Sequence, residues 1–288
     1  MAGIIAGALL ASGFAQAAPA EPPRKLLLGI ATPIGKKAAI FSATRLNKYL
    51  TKQLEVEVST KPFDDAAALG NALSAGAIDA AWLTPMGFVQ ASERAAVTPL
   101  VRLSRAGHAA YYSVLFARRG TGIDTVEAAK GKRMAWVLEG SASGNLYPKA
   151  FLKRAGIDPE THFSSQEELA DHRAVCDAVL KGTADLGATL SDEHPAGQPD
   201  SVDGCREAGM DPSQFKIVAR YGPIPGDVIA VRADLPKAQE MKLLDAFLSM
   251  GRSDEGRASL KEIFRADGFA GATSEDFDPV RQLFLGAQ

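Results

Sequence analysis

Cysteine and histidine are scarce in this chain, which has two cysteines and four histidines among 288 residues. The histidines, at positions 108, 162, 172 and 194, form neither a zinc-ligand spacing with the cysteines nor an H-E-x-x-H motif. We therefore expect no built-in metal centre.

Motifs for nucleophilic catalysis and nucleotide binding are also missing. The run from Gly140 to Gly144 has Ala142 where G-x-S-x-G requires serine. Gly29 and Gly35 are one residue too far apart for a P-loop, and Lys37 replaces the Ser or Thr that binds magnesium. No G-x-G-x-x-G opens a predicted helix. The sequence predicts no enzyme active site and no cofactor.

The chain carries no large excess of either charge, since 32 Lys and Arg face 34 Asp and Glu for a formal net charge of -2. This balance gives no general attraction to nucleic acid or to an anionic membrane, so we expect no nucleic-acid partner. Any anion must be recognised by a local site.

The first 20 residues are typical of a signal peptide, although no Lys or Arg precedes the apolar run and Arg24 is the first basic residue. Ala15-Gln16-Ala17 fits the cleavage rule, so the mature chain is expected to begin between 18 and 21. A buried helix is the alternative, and Pro19, Pro22 and Pro23 disfavour it. We expect a periplasmic protein without a cysteine-linked lipid anchor.

Cys176 and Cys205 are free to pair in an oxidising compartment. A disulfide is the prediction, and two buried thiols are the alternative.

Short aliphatic runs alternate with stretches of helical period, which is typical of an α/β fold with largely parallel sheets. The predicted strands cover 24–30, 55–60, 77–83, 97–103, 111–118, 132–138, 185–189, 215–221 and 228–232. The predicted helices cover 38–53, 66–75, 85–94, 145–155, 173–181, 237–250 and 254–265. We expect two lobes joined by two crossing hinge segments. The first lobe would contain residues 24–117 and 229–288, and the second lobe residues 118–228. A ligand would bind in the cleft between them.

The run Ser141-Ala142-Ser143-Gly144 lies between a predicted strand and a predicted helix. Its amides and hydroxyls would converge on a helix N-terminus, where unpaired amides and the helix dipole favour an anion. The alternative is that Ser143 only caps the helix.

These residues also open a set of motifs that resembles the phosphate, phosphite and phosphonate substrate-binding proteins of ABC transporters. The matching segments, in the family's order, are 75–83, 131–138, 141–148, 151–159, His172 with 174–175, 182–188, 224–227 and 232–236. The resemblance spans most of the predicted mature chain. It implies a periplasmic-binding-protein fold whose two lobes close on the ligand, with an ABC permease of the inner membrane as partner and a monomeric state.

The resemblance also implies a set of ligand-binding residues. Ser141 and Ser143 with the following amides would hold the anionic group, and His172, neutral or charged, would reach the same oxygens. Asp192 and Asp227 would meet a ligand amine or accept a proton, although each is also a common turn residue. Trp82, Thr84 and Phe88 would line the cleft, but Thr84 is also suited to cap a helix and Trp82 to fill a core.

Three hydroxyl donors of the family pattern are absent here. Ala142 replaces a threonine, Phe88 replaces a tyrosine, and the tyrosine expected before the helix at 66 is missing; Thr84 also stands where the family has glycine. The ligand is therefore expected to differ from aminoalkyl phosphonates. The leading hypothesis is capture of a small phosphorus oxyanion for import. The alternative is a sensing module of the same fold that acts with a membrane kinase or chemoreceptor.

Overall fold

The computed structural model describes residues 25–31, 36–194, 198 and 201–284. The predicted signal peptide, 1–20, lies outside these residues. Within these ranges, no helix combines the length and hydropathy needed to cross a lipid bilayer.

In the described part of the chain, the strands form two sheets. The first sheet has the order β11-β4-β10-β3-β1-β2 and contains β1 (Lys25–Ala31), β2 (Glu57–Phe63), β3 (Ala80–Leu83), β4 (Val97–Ser104), β10 (Val228–Arg232) and β11 (Gly268–Gly271). The second has the order β7-β6-β8-β5-β9 and contains β5 (Ala110–Arg118), β6 (Arg133–Val137), β7 (Ser165–Leu169), β8 (Leu186–Asp192) and β9 (Phe215–Pro225). Each sheet with its helices forms one lobe.

Both sheets are mixed. β1 pairs parallel with β2 and β3, and β6 pairs parallel with β7 and β8. β5, β10 and β11 pair antiparallel with their neighbours. The α/β fold class is confirmed, but the prediction of mostly parallel sheets is wrong. β5 and β10 each follow a strand of the other lobe after a short connection, without the crossover helix that a parallel β-α-β unit requires.

Ten α-helices are present among the described residues, and some of them begin with a side-chain cap. They are α1 (Lys36–Leu54), α2 (Ala66–Ser74), α3 (Pro85–Ser92), α4 (Tyr147–Arg154), α5 (Pro159–His162), α6 (His172–Lys181), α7 (Asp203–Glu207), α8 (Lys237–Leu248), α9 (Asp254–Ser259) and α10 (Asp278–Phe284). Asp65 caps α2 by accepting from the Ala68 amide at 2.7 Å. Gly182 ends α6 in the left-handed conformation that glycine adopts without strain.

Helices cover both faces of the first sheet. Leu50 of α1 and Phe247 of α8 belong to the core cluster on one face, and Leu69 of α2 and Phe88 of α3 belong to the cluster on the other. The second cluster also contains Tyr147 of α4, whose ring lies 5.5 Å from that of Phe284. The two lobes are therefore in contact through α4 and α10.

The chain crosses between the lobes at two places. The first crossing segment is 105–109, which turns through Ala106 and Gly107 at positive φ, and the second is Gly226–Asp227. The boundary predicted near 117 is wrong, because Ala110–Arg118 pairs within the second sheet. The predicted boundary lay next to Gly120 and Gly122, after the strand Ala110–Arg118. In the structure the chain crosses before that strand, at the turn through Ala106. The second boundary lies close to the predicted residue 229.

The two crossing segments pack directly against each other. The Gly226 amide donates to the Ala109 carbonyl at 2.9 Å, and the Leu103 amide donates to the Asp227 carbonyl at 2.8 Å. A Cβ atom on Gly226 would lie 2.3 Å from the Leu103 carbonyl oxygen. Glycine is required here because the approaching atom belongs to the backbone.

Candidate functional site

The loop after β6 winds into a π-helical turn, Ala142–Leu146, that leads directly into α4. Ser141 caps the turn, since its Oγ accepts from the Gly144 amide at 3.1 Å. Ser143 is therefore not the cap. The amides of Ala142 and Ser143 form no hydrogen bond to any other described residue. Two donors are left at the start of the turn.

Asn145 fixes this turn to the second sheet. Its side-chain nitrogen donates to the Val137 carbonyl at 2.7 Å and to Glu168 Oε1 at 2.9 Å. Lys149 Nζ also lies 2.9 Å from Glu168, and the hydrogen bonds from Lys149 and Asn145 hold the pKa of that carboxyl below its usual range. Asn145 was not among the site residues predicted from the sequence, although a buried amide directly after the motif fits an anchoring role.

Two close contacts fix the turn from its other sides. A Cβ atom on Gly144 would lie 2.4 Å from Val137 Cγ2, so only glycine allows the turn to approach β6 this closely. Ser113 Oγ on β5 donates to the Ser143 carbonyl at 2.7 Å. Together with Asn145, these contacts tie the turn to β5, β6 and β7.

His172 is the first residue of α6, whose cap is Asp171. Its Nδ1 lies 2.8 Å from Thr189 Oγ1 on β8. Burial lowers the pKa of His172 to about 4, with Asp171 opposing and Arg105 adding to the shift. The imidazole is therefore neutral near pH 7, which decides between the two protonation states that the sequence left open.

Asp227 on the second crossing segment contacts the first sheet through Trp82. Trp82 Nε1 donates to Asp227 Oδ2 at 3.2 Å. Burial raises the pKa of Asp227, and the charge of Arg105 and the Trp82 hydrogen bond oppose that rise. The structure thus brings together two of the predicted site residues from β3 and the crossing.

Asp192 ends β8 and is nearly buried, with 8% of its surface exposed. Its amide donates to Asp203 Oδ2 at 2.8 Å, and its own carboxylate lies 3.6 Å from Arg206 Nη2. Burial, followed by the charge of Asp203, raises the pKa of Asp192. The fully buried Asp203 also accepts from His194 Nε2 at 2.8 Å, so this carboxylate organises the end of β8.

The short helix α7 is linked to α6 by the disulfide predicted between Cys176 and Cys205, whose Cα atoms lie 5.5 Å apart. The residue before Cys205 is Gly204, and a Cβ atom there would lie 1.9 Å from Thr189 Oγ1. Thr189 is the residue that contacts His172. Two consecutive residues of α7 therefore support the site. Asp203 accepts from the Asp192 amide, and Gly204 lies against Thr189, the partner of His172.

Thr84 and Phe88 have structural roles. Thr84 caps α3, because its Oγ1 accepts from the Gly87 amide at 3.1 Å. Phe88 is fully buried, and its ring centroid lies 4.5 Å from that of Phe277. The prediction that Phe88 lines the cleft is wrong, because its apolar ring is stabilised by burial in the first-lobe core.

Two residues at the lobe junction, Arg105 and Tyr111, were not predicted from the sequence. The charge of Arg105 contributes to the pKa values of His172, Asp192 and Asp227. Burial and the negative charge of Asp227 raise the pKa of Tyr111. Both were overlooked because the predicted boundary near 117 placed them inside the first lobe.

Within the described ranges, no group of three or more His, Cys, Asp or Glu side chains is arranged to hold a metal ion. The chemistry of the site is instead that of hydrogen-bond donors with a nearby cation. The donors are the amides of Ala142 and Ser143 and the serine hydroxyls, and Arg105 supplies positive charge close to His172.

Comparisons with known proteins agree with this geometry. A family model described as "ABC transporter, phosphonate, periplasmic substrate-binding protein" matches residues 36–277. The chain is 28% identical over 256 residues to the phosphate-import protein PhnD of Mycolicibacterium smegmatis, covering 83% of this chain and 78% of that protein. It is 23% identical over 244 residues to the phosphonates-binding periplasmic protein of Escherichia coli, covering 82% and 69%. The structure of PhnD1 from Prochlorococcus marinus in complex with methylphosphonate has the same fold, with a TM-score of 0.69, 20% identity and coverage of 92% and 98%.

The lowered pKa of His172 predicts a pH-dependent stability. The unfolded imidazole takes up a proton near 6.5 and the folded one near 4. Between these values the unfolded state binds more protons, so the free energy of unfolding falls as the pH is lowered. From about pH 7 to about pH 4.5, we expect wild type to lose about 2 kcal/mol more than His172→Gln.

Urea denaturation of both proteins at the two pH values measures this difference. Asp192 and Asp227 titrate in both proteins, so their contributions cancel in the comparison. Equal losses in the two proteins would contradict a buried, neutral His172.

Proposed function

The chain belongs to the family of periplasmic substrate-binding proteins of phosphonate ABC transporters, and on this premise we propose that it captures a phosphonate, phosphite or phosphate oxyanion for import. The observation that carries the proposal is the pair of unbonded amides at Ala142 and Ser143. Unpaired amides at the start of a helix favour an anion because they donate hydrogen bonds and lie at the positive end of the helix dipole.

The family is one of binding components of transporters, so the prediction that the chain is not an enzyme is confirmed. The periplasmic description of the family also places the protein outside the cytoplasm. An ABC permease is the proposed partner. Family membership favours import over the sensing module that the sequence left as an alternative.

In the proposed complex, the phosphorus oxyanion accepts hydrogen bonds from the amides of Ala142 and Ser143. The Ser141 hydroxyl still has its proton to donate, because its oxygen acts as an acceptor towards Gly144. A neutral His172 contributes one ring N–H. The names of the relatives, a phosphate-import protein and a methylphosphonate complex, support a tetrahedral phosphorus ligand.

Asp227 is proposed to act on the same ligand from the crossing segment. We propose that the Asp227 carboxyl accepts a hydrogen bond from a protonated oxygen of the ligand. Burial raises the pKa of Asp227. The hydrogen bond from Trp82 orients this carboxyl.

Removing a single amide tests the proposed anion site. The substitution Ala142→Pro removes the N–H of the first residue of the turn. Proline is tolerated at this position because Ser141, the residue before it, has an extended conformation with φ -68 and ψ 118. A charge-assisted hydrogen bond is worth roughly 1.5 to 3 kcal/mol, so we expect affinity for methylphosphonate to fall about tenfold to a hundredfold. Calorimetric titration measures this loss.

Ala142→Thr is the matched control, since it keeps the amide and restores the threonine of the family motif. We expect this variant to bind methylphosphonate at least as tightly as wild type. Thermal melting of both variants separates binding from folding. Unchanged affinity in a folded Ala142→Pro protein would refute the assignment of the anion to this turn.

Closure of the lobes about residues 105–109 and 226–227 is proposed as the response to ligand, because hinge closure around a bound solute is usual in two-lobed receptors. Donors from the turn and Asp227 on the crossing would then meet on one oxyanion. Small-angle scattering should show a smaller radius of gyration with saturating methylphosphonate, and a mass that corresponds to a monomer. Superimposable profiles with and without ligand would argue against closure.

A further inference from the structure

A cavity of about 760 Å³ lies between the two lobes. One wall is formed by α9 and the first-lobe segment that follows it, and another by the end of β8 and by α7. The first crossing segment contributes Arg105 and Ala106. This volume is in the range of sites for small organic molecules and is much larger than a bare oxyanion requires. Asp192 is the one predicted site residue among those that line it.

Basic side chains dominate the lining of this cavity. The basic residues are Arg105, Arg206, Arg257, Lys261 and Arg265. Two of them are committed to neighbouring acids: Arg206 Nη2 lies 2.8 Å from Asp203 Oδ1, and Arg257 pairs with Asp254. These two are held in place and contribute little free charge.

The other three form what we call the cationic wall: Arg105, Lys261 and Arg265. Across the described residues, none of the three forms an ion pair. Towards the residues that the structure describes, the Arg105 side chain donates only through Nε, to the Arg265 carbonyl at 3.0 Å, which leaves its two terminal nitrogens for a ligand. Arg265 is held at a positive φ of 47 and Lys261 is exposed on the same first-lobe segment.

Three acids also line the cavity: Asp192, Glu207 and Asp267. Asp192 already lies 3.6 Å from Arg206, and Asp267 is exposed to solvent. Burial raises the pKa values of Asp192 and Glu207, and the charge of Arg105 opposes this rise. The charge of Arg105 acts on both groups, which indicates that its guanidinium lies at this junction.

We propose that this cavity is an outer subsite in which the cationic wall binds a second anionic group of the ligand. The inference rests on the proposed function and narrows it: the ligand is an organophosphorus compound with two separate anionic groups. Its phosphorus oxyanion occupies the turn at Ala142, and its second group lies against Arg105, Lys261 and Arg265. Charge-assisted hydrogen bonds from Arg and Lys are the expected contacts.

Two ligands that differ by a carboxymethyl group test this subsite. Calorimetric titration compares methylphosphonate with 3-phosphonopropionate. We expect wild type to bind 3-phosphonopropionate about tenfold more tightly, and Lys261→Gln/Arg265→Gln to lose that preference while its affinity for methylphosphonate stays the same. Lys237→Gln/Lys242→Gln is the matched control, since it removes two exposed charges of α8 outside the cavity and should keep the preference.

The possible results distinguish a failure of the outer subsite from a failure of the proposed function. Wild type that binds methylphosphonate without preferring 3-phosphonopropionate would overturn the outer subsite alone. The subsite is also refuted if Lys261→Gln/Arg265→Gln keeps the preference, or if it weakens both ligands equally. Wild type that binds neither compound would contradict the proposed function itself, and the subsite with it.

Discussion

The buried carboxylate of Asp203 is the constraint on which the second-lobe side of the site depends. A carboxyl group with no exposed surface is tolerated only when hydrogen bonds replace its lost hydration, and Asp203 obtains them from the Asp192 amide, His194 and Arg206. The carboxylate thereby fixes the end of β8. The disulfide at Cys205 then ties the same short helix to α6, which begins with His172. Asp192 and His172, the two proposed ligand contacts of this lobe, are therefore held in place without ligand. This reduces the entropic cost of binding.

The lobe junction combines a cation with carboxyls whose pKa values are raised. Arg105 lies on the first crossing segment, and its charge acts on Asp192, Glu207 and Asp227 from three different elements. A positive charge beside these carboxyls supports the proposed anionic ligand over an aminoalkyl ligand, which acidic groups alone would attract.

The sequence predicts the features that local patterns determine. Alternating strand and helix signals identify the α/β class, and the Ser141 to Gly144 motif marks the turn because its residue types serve caps and close approaches. The features that depend on long-range pairing were not predictable in the same way. Nothing local distinguishes Ala110–Arg118 as a second-lobe strand, since its partners β8 and β9 lie far along the chain. Because the boundary was predicted near residue 117, Arg105 and Tyr111 were not recognised as residues of the lobe junction. Phe88 was misassigned because a position taken from a motif does not reveal which face of α3 is buried.

The central claim is that the unbonded amides of Ala142 and Ser143 hold the oxyanion. Nitrogen-15 correlation spectra recorded during titration with methylphosphonate test it most directly, because a new hydrogen bond moves the resonance of the donating amide proton downfield. The account predicts that these two amides show the largest downfield shifts and saturate with the calorimetric affinity. Unmoved resonances for both amides, with the largest shifts elsewhere, would contradict it.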